Sequence, residues 1–195
     1  VDDAQDGSER SMNNRDDVAV RFAQDIAQHQ LTIIRDDGVY RHLRFARPGI
    51  YSYSFEIITW PGYLAYVGDM GDYVFSRLVD MLEFFRQPTI NPGYWAEKIQ
   101  AGGHEGIKEY SEDKARAWVQ QQLDDYEAGD DYRSETTSFS YDDERALRDE
   151  LEASNFRGYS DAWEADFKDY TFHYLWCCNA LVWAVKQYDN AKATA

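Results

Sequence analysis

His104 and Glu105 sit side by side in the glycine-rich run AGGHEGIKEY, where an imidazole and a carboxylate could pass a proton as a general acid/base pair. No nucleophile or third orienting group accompanies them at a recognisable spacing, so the pair alone does not define an active site. The stretch VGDMGDYVF offers Gly68, Asp69, Gly71 and Asp72, residue types that can ligate a divalent metal or seat a phosphate on a helix N-terminus. It lacks the lysine of GxxxxGK[ST] and the spacing of GxGxxG, and its two acids repel a phosphate unless a metal intervenes. The expectation is a tight turn, with Asp72 capping a following helix.

The four histidines, His29, His42, His104 and His173, show no HExxH spacing, and the two cysteines, Cys177 and Cys178, form no CxxC. No metal or cofactor is expected. The adjacent cysteines lie in an apolar run and read as small core residues, with His173 beside them as a hydrogen-bonded core histidine. Arg35, Arg41, His42, Arg44 and Arg47 gather in one segment, with Tyr40, His42 and Arg44 on one strand face. This cluster suits a nucleotide or other anion, acting with the GDMGD loop and a divalent metal. It equally suits an internal counter-charge for the acidic C-terminal half, which is the preferred reading.

The strongest signal is electrostatic. From Asp124 to Glu152, DDYEAGDDYRSETTSFSYDDERALRDELE carries twelve carboxylates against three arginines, a net charge of −9 in 29 residues. Tyr126, Tyr132, Phe139 and Tyr141 are threaded through it. A helix near 141–153 places Asp142 and Asp149, and likewise Asp143 and Glu150, on common faces about 10.5 Å apart at 1.5 Å rise per residue. Asp124, Asp125, Glu127, Asp130 and Asp131 extend the charge upstream, with Glu135 in the loop. DNA presents a phosphate about every 3.4 Å along each strand. Dispersed carboxylates on a firm scaffold can imitate that array, and tyrosines supply the packing that interface cores favour. The bland reading is a solvated face and loop. Calcium is disfavoured because the DxDxDG loop is missing.

The elements that must position these groups follow from periodicity. Residues 1–14 read as a disordered tail. Val18, Phe22 and Ile26 recur at helical spacing, giving a helix near 15–29. QLTIIRD, VYRHLRFA, IYSYSFEIIT and YLAYVGD, separated by DG, RPG and WPG turns, read as a four-stranded antiparallel meander. DYVFSRLVDMLEFFR places Val74, Leu78, Met81, Leu82 and Phe85 on one stripe and is expected to be a helix. NPGYWAEKIQA opens a short helix, SEDKARAWVQQQLDDYEA another with Ser111 as N-cap, and DFKDYTFHYLWCCNALVWAVKQYDNA a final helix buried on most of its girth. The expected fold is α+β: an N-terminal helix, the meander and a helical, acidic C-terminal half. A single domain over 15–195 is expected, sheet-containing over 15–90 and helical over 91–195.

Composition narrows the function classes. The 195 residues are 44% hydrophobic and 16% aromatic, enough for a packed core. A net charge of −16 opposes direct binding to nucleic acid or anionic membranes and favours steered approach to a basic partner. Residues 1–100 carry 15 acids and 10 Lys/Arg, whereas residues 101–195 carry 21 and 10, so any electrostatic role belongs to the second half. The longest apolar stretch is too short to span a bilayer, and the first 17 residues are acidic and polar, unlike a signal peptide. Six Trp, fifteen Tyr and ten Phe also suit a homodimer.

Three blocks carry a likeness: ITWPGYLAYVGDMGDYVFSRLVDMLEFFR, INPGYWAEKIQA and YTFHYLWCCNALVWAVKQYD. The chain resembles, over roughly residues 15–190, a group of small proteins encoded by tailed phages and prophages. The resemblance implies a phage accessory protein acting in a bacterial cytoplasm, and transfers no activity, cofactor or catalytic residue. With the acidic half it points to a non-enzymatic inhibitor of a host defence nuclease, of anti-CRISPR or anti-restriction type. Asp124, Asp125, Glu127, Asp130, Asp131, Asp142, Asp143, Asp149 and Glu150 would stand in for phosphates, with Tyr126, Tyr132 and Tyr141 packing beside them. The alternatives are the nucleotide- or metal-dependent site at the basic hairpin, and a structural or assembly protein of the virion.

Overall fold

A computed structural model describes residues 15–103 and 106–194, so the tail expected over residues 1–14 lies outside the described residues. The chain divides into two compact units, one spanning Lys108–Asp169 and the other Arg15–Ile107 with the segment from Tyr170 onward.

The larger unit is built on an antiparallel sheet. Strands β1 (Gln30–Asp37), β2 (Tyr40–Ala46), β3 (Phe55–Trp60), β4 (Tyr63–Gly68), β5 (Gly71–Ser76) and β6 (Ile99–Gly102) lie in sequence order. Four strands fall within the expected segments and two more follow them, but β3 starts only at Phe55. Tyr51 and Tyr53, expected to alternate in it, lie in a turn closed by the Ser54 N–H donating to the Tyr51 carbonyl, with Tyr51 exposed. β5 occupies ground expected to be helical. Tyr73 and Phe75 are buried and alternate with less buried neighbours, the period of a strand. Only the end of the expected stripe is helical, as α2 (Met81–Phe85), capped by Asp80, whose carboxylate accepts from the Leu82 N–H. α3 (Pro92–Ala96) then leads into β6, again a strand where a helix continues in the sequence reading.

One face of the sheet carries Leu43, Phe45, Phe55, Ile57, Leu64, Tyr66, Tyr73 and Phe75, all buried. Against this core pack helix α1 (15–25), through Val18 and Phe22, and the 22-residue helix α7 (Phe172–Ala193). α7 is buried from Tyr174 through Cys178 without interruption, as its apolar girth predicts. Its N-cap, Thr171, accepts from the Tyr174 N–H. His173, expected in the core, is exposed, because it lies in the first turn before the helix sinks under the sheet.

The smaller unit contains helices α4 (Glu112–Asp125), α5 (Asp130–Glu135) and α6 (Glu144–Ala153), with a two-stranded sheet of β7 (Lys108–Tyr110) and β8 (Lys168–Tyr170) at its boundary. Ser111 caps α4 as expected, its hydroxyl accepting from the Lys114 N–H at 3.3 Å. Ala115, Val119 and Leu123 repeat at four-residue spacing on α4 and meet Leu147 and Leu151 of α6 in a core completed by Phe156, Tyr159 and Phe167.

Candidate functional site

Charge follows the division into units. Lys108–Asp169 holds 19 Asp/Glu and 8 Lys/Arg, a net of −11, whereas Arg15–Ile107 with Tyr170–Ala195 holds 13 and 11, a net of −2. The negative charge therefore belongs to a folded unit with its own core.

The nine carboxylates singled out in the sequence divide by what they touch. Asp124, at the end of α4, accepts from Arg133 at 2.7 Å and from the Gln120 amide at 3.1 and 3.2 Å. Those bonds hold its carboxyl below the ordinary carboxylate range, the Gln120 contact contributing most. Asp143 is the N-cap of α6, accepting from the Arg145 and Ala146 N–H groups at 2.9 and 3.0 Å. Glu150 reaches back from α6 to accept from the Ser140 N–H at 2.7 Å and hydroxyl at 2.9 Å. The other six, Asp125, Glu127, Asp130, Asp131, Asp142 and Asp149, are exposed and make no side-chain hydrogen bond or ion pair among the described residues.

Helix α6 begins at Glu144, so Asp142 precedes it, and the expected seven-residue pairs do not share a helical face. The reason is local: Tyr141 is buried, 5% exposed, and Asp143 is taken up as the cap. Four of the free acids instead gather where α4 turns into α5. Asp125 is the last residue of α4, Glu127 lies in the turn, and Asp130 and Asp131 open α5, where unpaired helix N–H groups favour negative charge.

The turn has a specific geometry. The Ala128 N–H donates to the Leu123 carbonyl at 2.8 Å and the Glu127 N–H to the Asp124 carbonyl at 3.1 Å, the paired bonds of a Schellman C-cap. Glu127 takes the left-handed position at φ +49°, where glycine is the usual residue.

The tyrosines separate too. Tyr126 is 41% exposed with the Arg157 guanidinium over its ring, 5.2 Å from the centroid. Tyr132 packs on Phe156 at 4.9 Å between centroids. Tyr141 faces the interior, with Arg116 over its ring at 3.9 Å.

Four of the five clustered basic residues, Arg35, Arg41, His42 and Arg44, pair with acids of their own unit. Arg41 donates through both terminal nitrogens to Asp80 at 2.9 and 2.8 Å, and through Nε to the Tyr188 hydroxyl. His42 lies 2.6 Å from Glu56, and Arg44 approaches the same carboxylate at 3.8 Å. Arg35 pairs with Asp37. The counter-charges are thus Asp36, Asp37, Asp80 and Glu56, not the acidic half of the chain that the sequence suggested.

GDMGD forms the β4–β5 turn, with Gly68 paired to Gly71. The Asp72 carboxylate accepts from the Gly68 N–H and the Asp69 carboxylate from the Tyr53 N–H, so Asp72 braces a hairpin and caps no helix. A Cβ on Gly68 would meet that of Phe55 at 2.6 Å, which requires glycine there. Among the described residues no group of three or more His, Cys, Asp and Glu could hold a metal ion. His104 and Glu105 lie outside the described residues. Cys177 and Cys178 are free and buried, and burial pushes the Cys177 thiol up to about 12. No helix among the described residues is long and apolar enough to cross a membrane.

No family model matches the chain, and neither the curated proteins nor the solved structures contain a match. The arrangement of its own residues therefore carries the functional reading.

Proposed function

We propose that the chain is a binding protein whose acidic unit occupies the nucleic-acid site of a basic protein partner. The observation that carries this reading is the concentration of net charge −11 in one folded unit, with exposed carboxylates fixed around the α4–α5 turn. A nucleic-acid groove is lined with Lys and Arg, and carboxylates dispersed on a rigid scaffold meet it as phosphates do. Asp125, Glu127, Asp130 and Asp131 form the centre of the surface, Asp142 and Asp149 extend it, and Tyr126 and Tyr132 supply apolar contact. With the resemblance to phage proteins, the partner class is a bacterial defence nuclease, a CRISPR effector or a restriction enzyme. The activity is inhibition in the host cytoplasm, without a catalytic step.

The test is capture of partners from a bacterial lysate on the tagged protein at low and then moderate salt, followed by competition with duplex DNA. A nuclease retained at low salt, released as salt rises and displaced by DNA is the expected result. Retention unchanged when Asp125, Glu127, Asp130 and Asp131 are all replaced by Lys refutes the reading.

A further inference from the structure

The acidic unit also contains a pocket of about 560 Å³, within the range of sites that enclose a ligand or an anchoring side chain. It opens between the end of α6 and the loop that follows. Leu151, Phe156 and Ala162 form an apolar floor, and Glu152, Asn155 and Trp163 also line it. Trp163 is 75% exposed, more than any other tryptophan among the large exposed apolar residues, although indoles ordinarily bury most of their surface.

The charges at this pocket select its occupant. Arg148 is committed elsewhere: its guanidinium donates to Glu144 at 2.8 Å and to the Ala165 carbonyl at 2.9 Å, and lies 4.5 Å over the Phe167 ring. Glu152 is exposed and its side chain makes no hydrogen bond or ion pair among the described residues. The unbalanced charge of the pocket is therefore negative, and the exposed indole of Trp163 lines the same pocket. Tyr159, 4% exposed and part of the wall, has a hydroxyl without a hydrogen-bond partner among the described residues. That hydroxyl is itself sealed from solvent, so the wall it belongs to is apolar towards an occupant.

We propose that this pocket receives an arginine side chain of the protein partner, its methylene stem on the apolar floor and its guanidinium stacked on Trp163 and paired with Glu152. A guanidinium is planar, weakly hydrated and able to stack and pair at once, which a lysine ammonium does not do. The identity of the partner as a basic protein rests on the reading above. The pocket itself rests on the placement of Trp163 and Glu152 over an apolar cavity.

The test titrates the full chain with N-acetyl-Gly-Arg-Gly-amide and with its citrulline counterpart, a neutral shape-mimic. The readout is the indole N–H resonance of Trp163, assigned by its loss in Trp163→Phe. A saturable shift with the arginine peptide is expected, at least about fivefold weaker with citrulline and in Glu152→Gln, and unchanged in Asp130→Asn/Asp131→Asn. A silent Trp163, or equal response to the two peptides, overturns the proposal. A silent Trp163 with salt-sensitive capture intact overturns the pocket alone. A responsive Trp163 without such capture upholds the pocket and overturns the surface reading.

Discussion

Replacing Glu127 separates two properties that its position combines. The residue closes the Schellman turn after α4 at φ +49° and also belongs to the proposed binding surface. Glu127→Ala and Glu127→Gly remove the same carboxylate, so any difference in stability between them belongs to the backbone. A residue with a Cβ costs about 1–2 kcal/mol in the left-handed region. Glycine returns about 0.5–1 kcal/mol of that through the larger entropy of its unfolded chain. The Gly variant should therefore be about 0.5–1 kcal/mol more stable than the Ala variant. For a chain of this size that is about 1–4 °C in melting temperature, read by circular dichroism alongside the urea midpoint. Both variants should lose the same affinity for a basic partner, since both lose one charge. A Gly variant no more stable than the Ala variant refutes the backbone argument. Unequal losses of affinity would show that the turn geometry, not the carboxylate, is what the partner meets.

Glu150→Ala should destabilise the acidic unit by about 1.5–3 kcal/mol, because it strands the Ser140 N–H and hydroxyl, whereas Asp149→Ala should change the urea midpoint little. Arg41→Met should cost about 2–3 kcal/mol by removing the bidentate partner of Asp80 and the donor to the Tyr188 hydroxyl; Arg35→Met, whose ion pair with Asp37 is exposed, should be close to neutral in the same denaturation assay. Asp36, Asp124 and Asp166 are held below the ordinary carboxylate value of 3.8, chiefly by hydrogen bonds from Lys192, Gln120 and Lys108 respectively. Because the folded values are the lower ones, this stabilisation is complete above the unfolded value and is lost as pH falls through the folded values. Melting temperature should therefore decline on acidification below about pH 4, and Asp36→Asn should flatten that decline.

Elements whose apolar spacing matched a single period were legible in the sequence. β1, β2, β4, α1, the Ser111 cap and α7 are close to where the pattern places them, whereas β3 starts only at Phe55 because Tyr51 and Tyr53, whose alternation suggested a longer strand, lie in a turn. β5 was hidden because Val74, Leu78, Met81, Leu82 and Phe85 fall at helical spacing across a strand, a bend and a short helix. The alternation of Tyr73 with Phe75, and two glycines spaced to close a hairpin, were the signals that the stripe obscured. The partners of the basic hairpin depend on strand register, which composition does not encode: Arg44 lies directly opposite Glu56 only because β2 pairs with β3 as it does. The acidic surface was visible as composition, but its division into structural and unpaired carboxylates required the start of α6 to be fixed at Glu144. The Trp163 pocket had no sequence signature, since residues 154–163 follow neither helical nor strand periodicity.

That division bears on how a unit of net charge −11 folds at all. Like charges at this density oppose compaction, so some of them must contribute to the structure if the others are to be held apart. Asp124 ties α4 to Arg133 of α5, Asp143 fixes the start of α6, and Glu150 draws the segment before α6 back onto the helix. Each lies within a few residues of an unpaired acid: Asp125 and Glu127 beside Asp124, Asp142 beside Asp143, Asp149 beside Glu150. The structural carboxylates thus set the positions of the unpaired ones, and the Schellman turn places Glu127 and Asp125 on either side of its bend. A flexible tail of equal charge would attract the proposed basic partner equally but would lose conformational entropy on binding. Here most of that ordering is already complete in the fold. Affinity should therefore depend on the integrity of the α4–α5 corner as much as on the number of charges it displays.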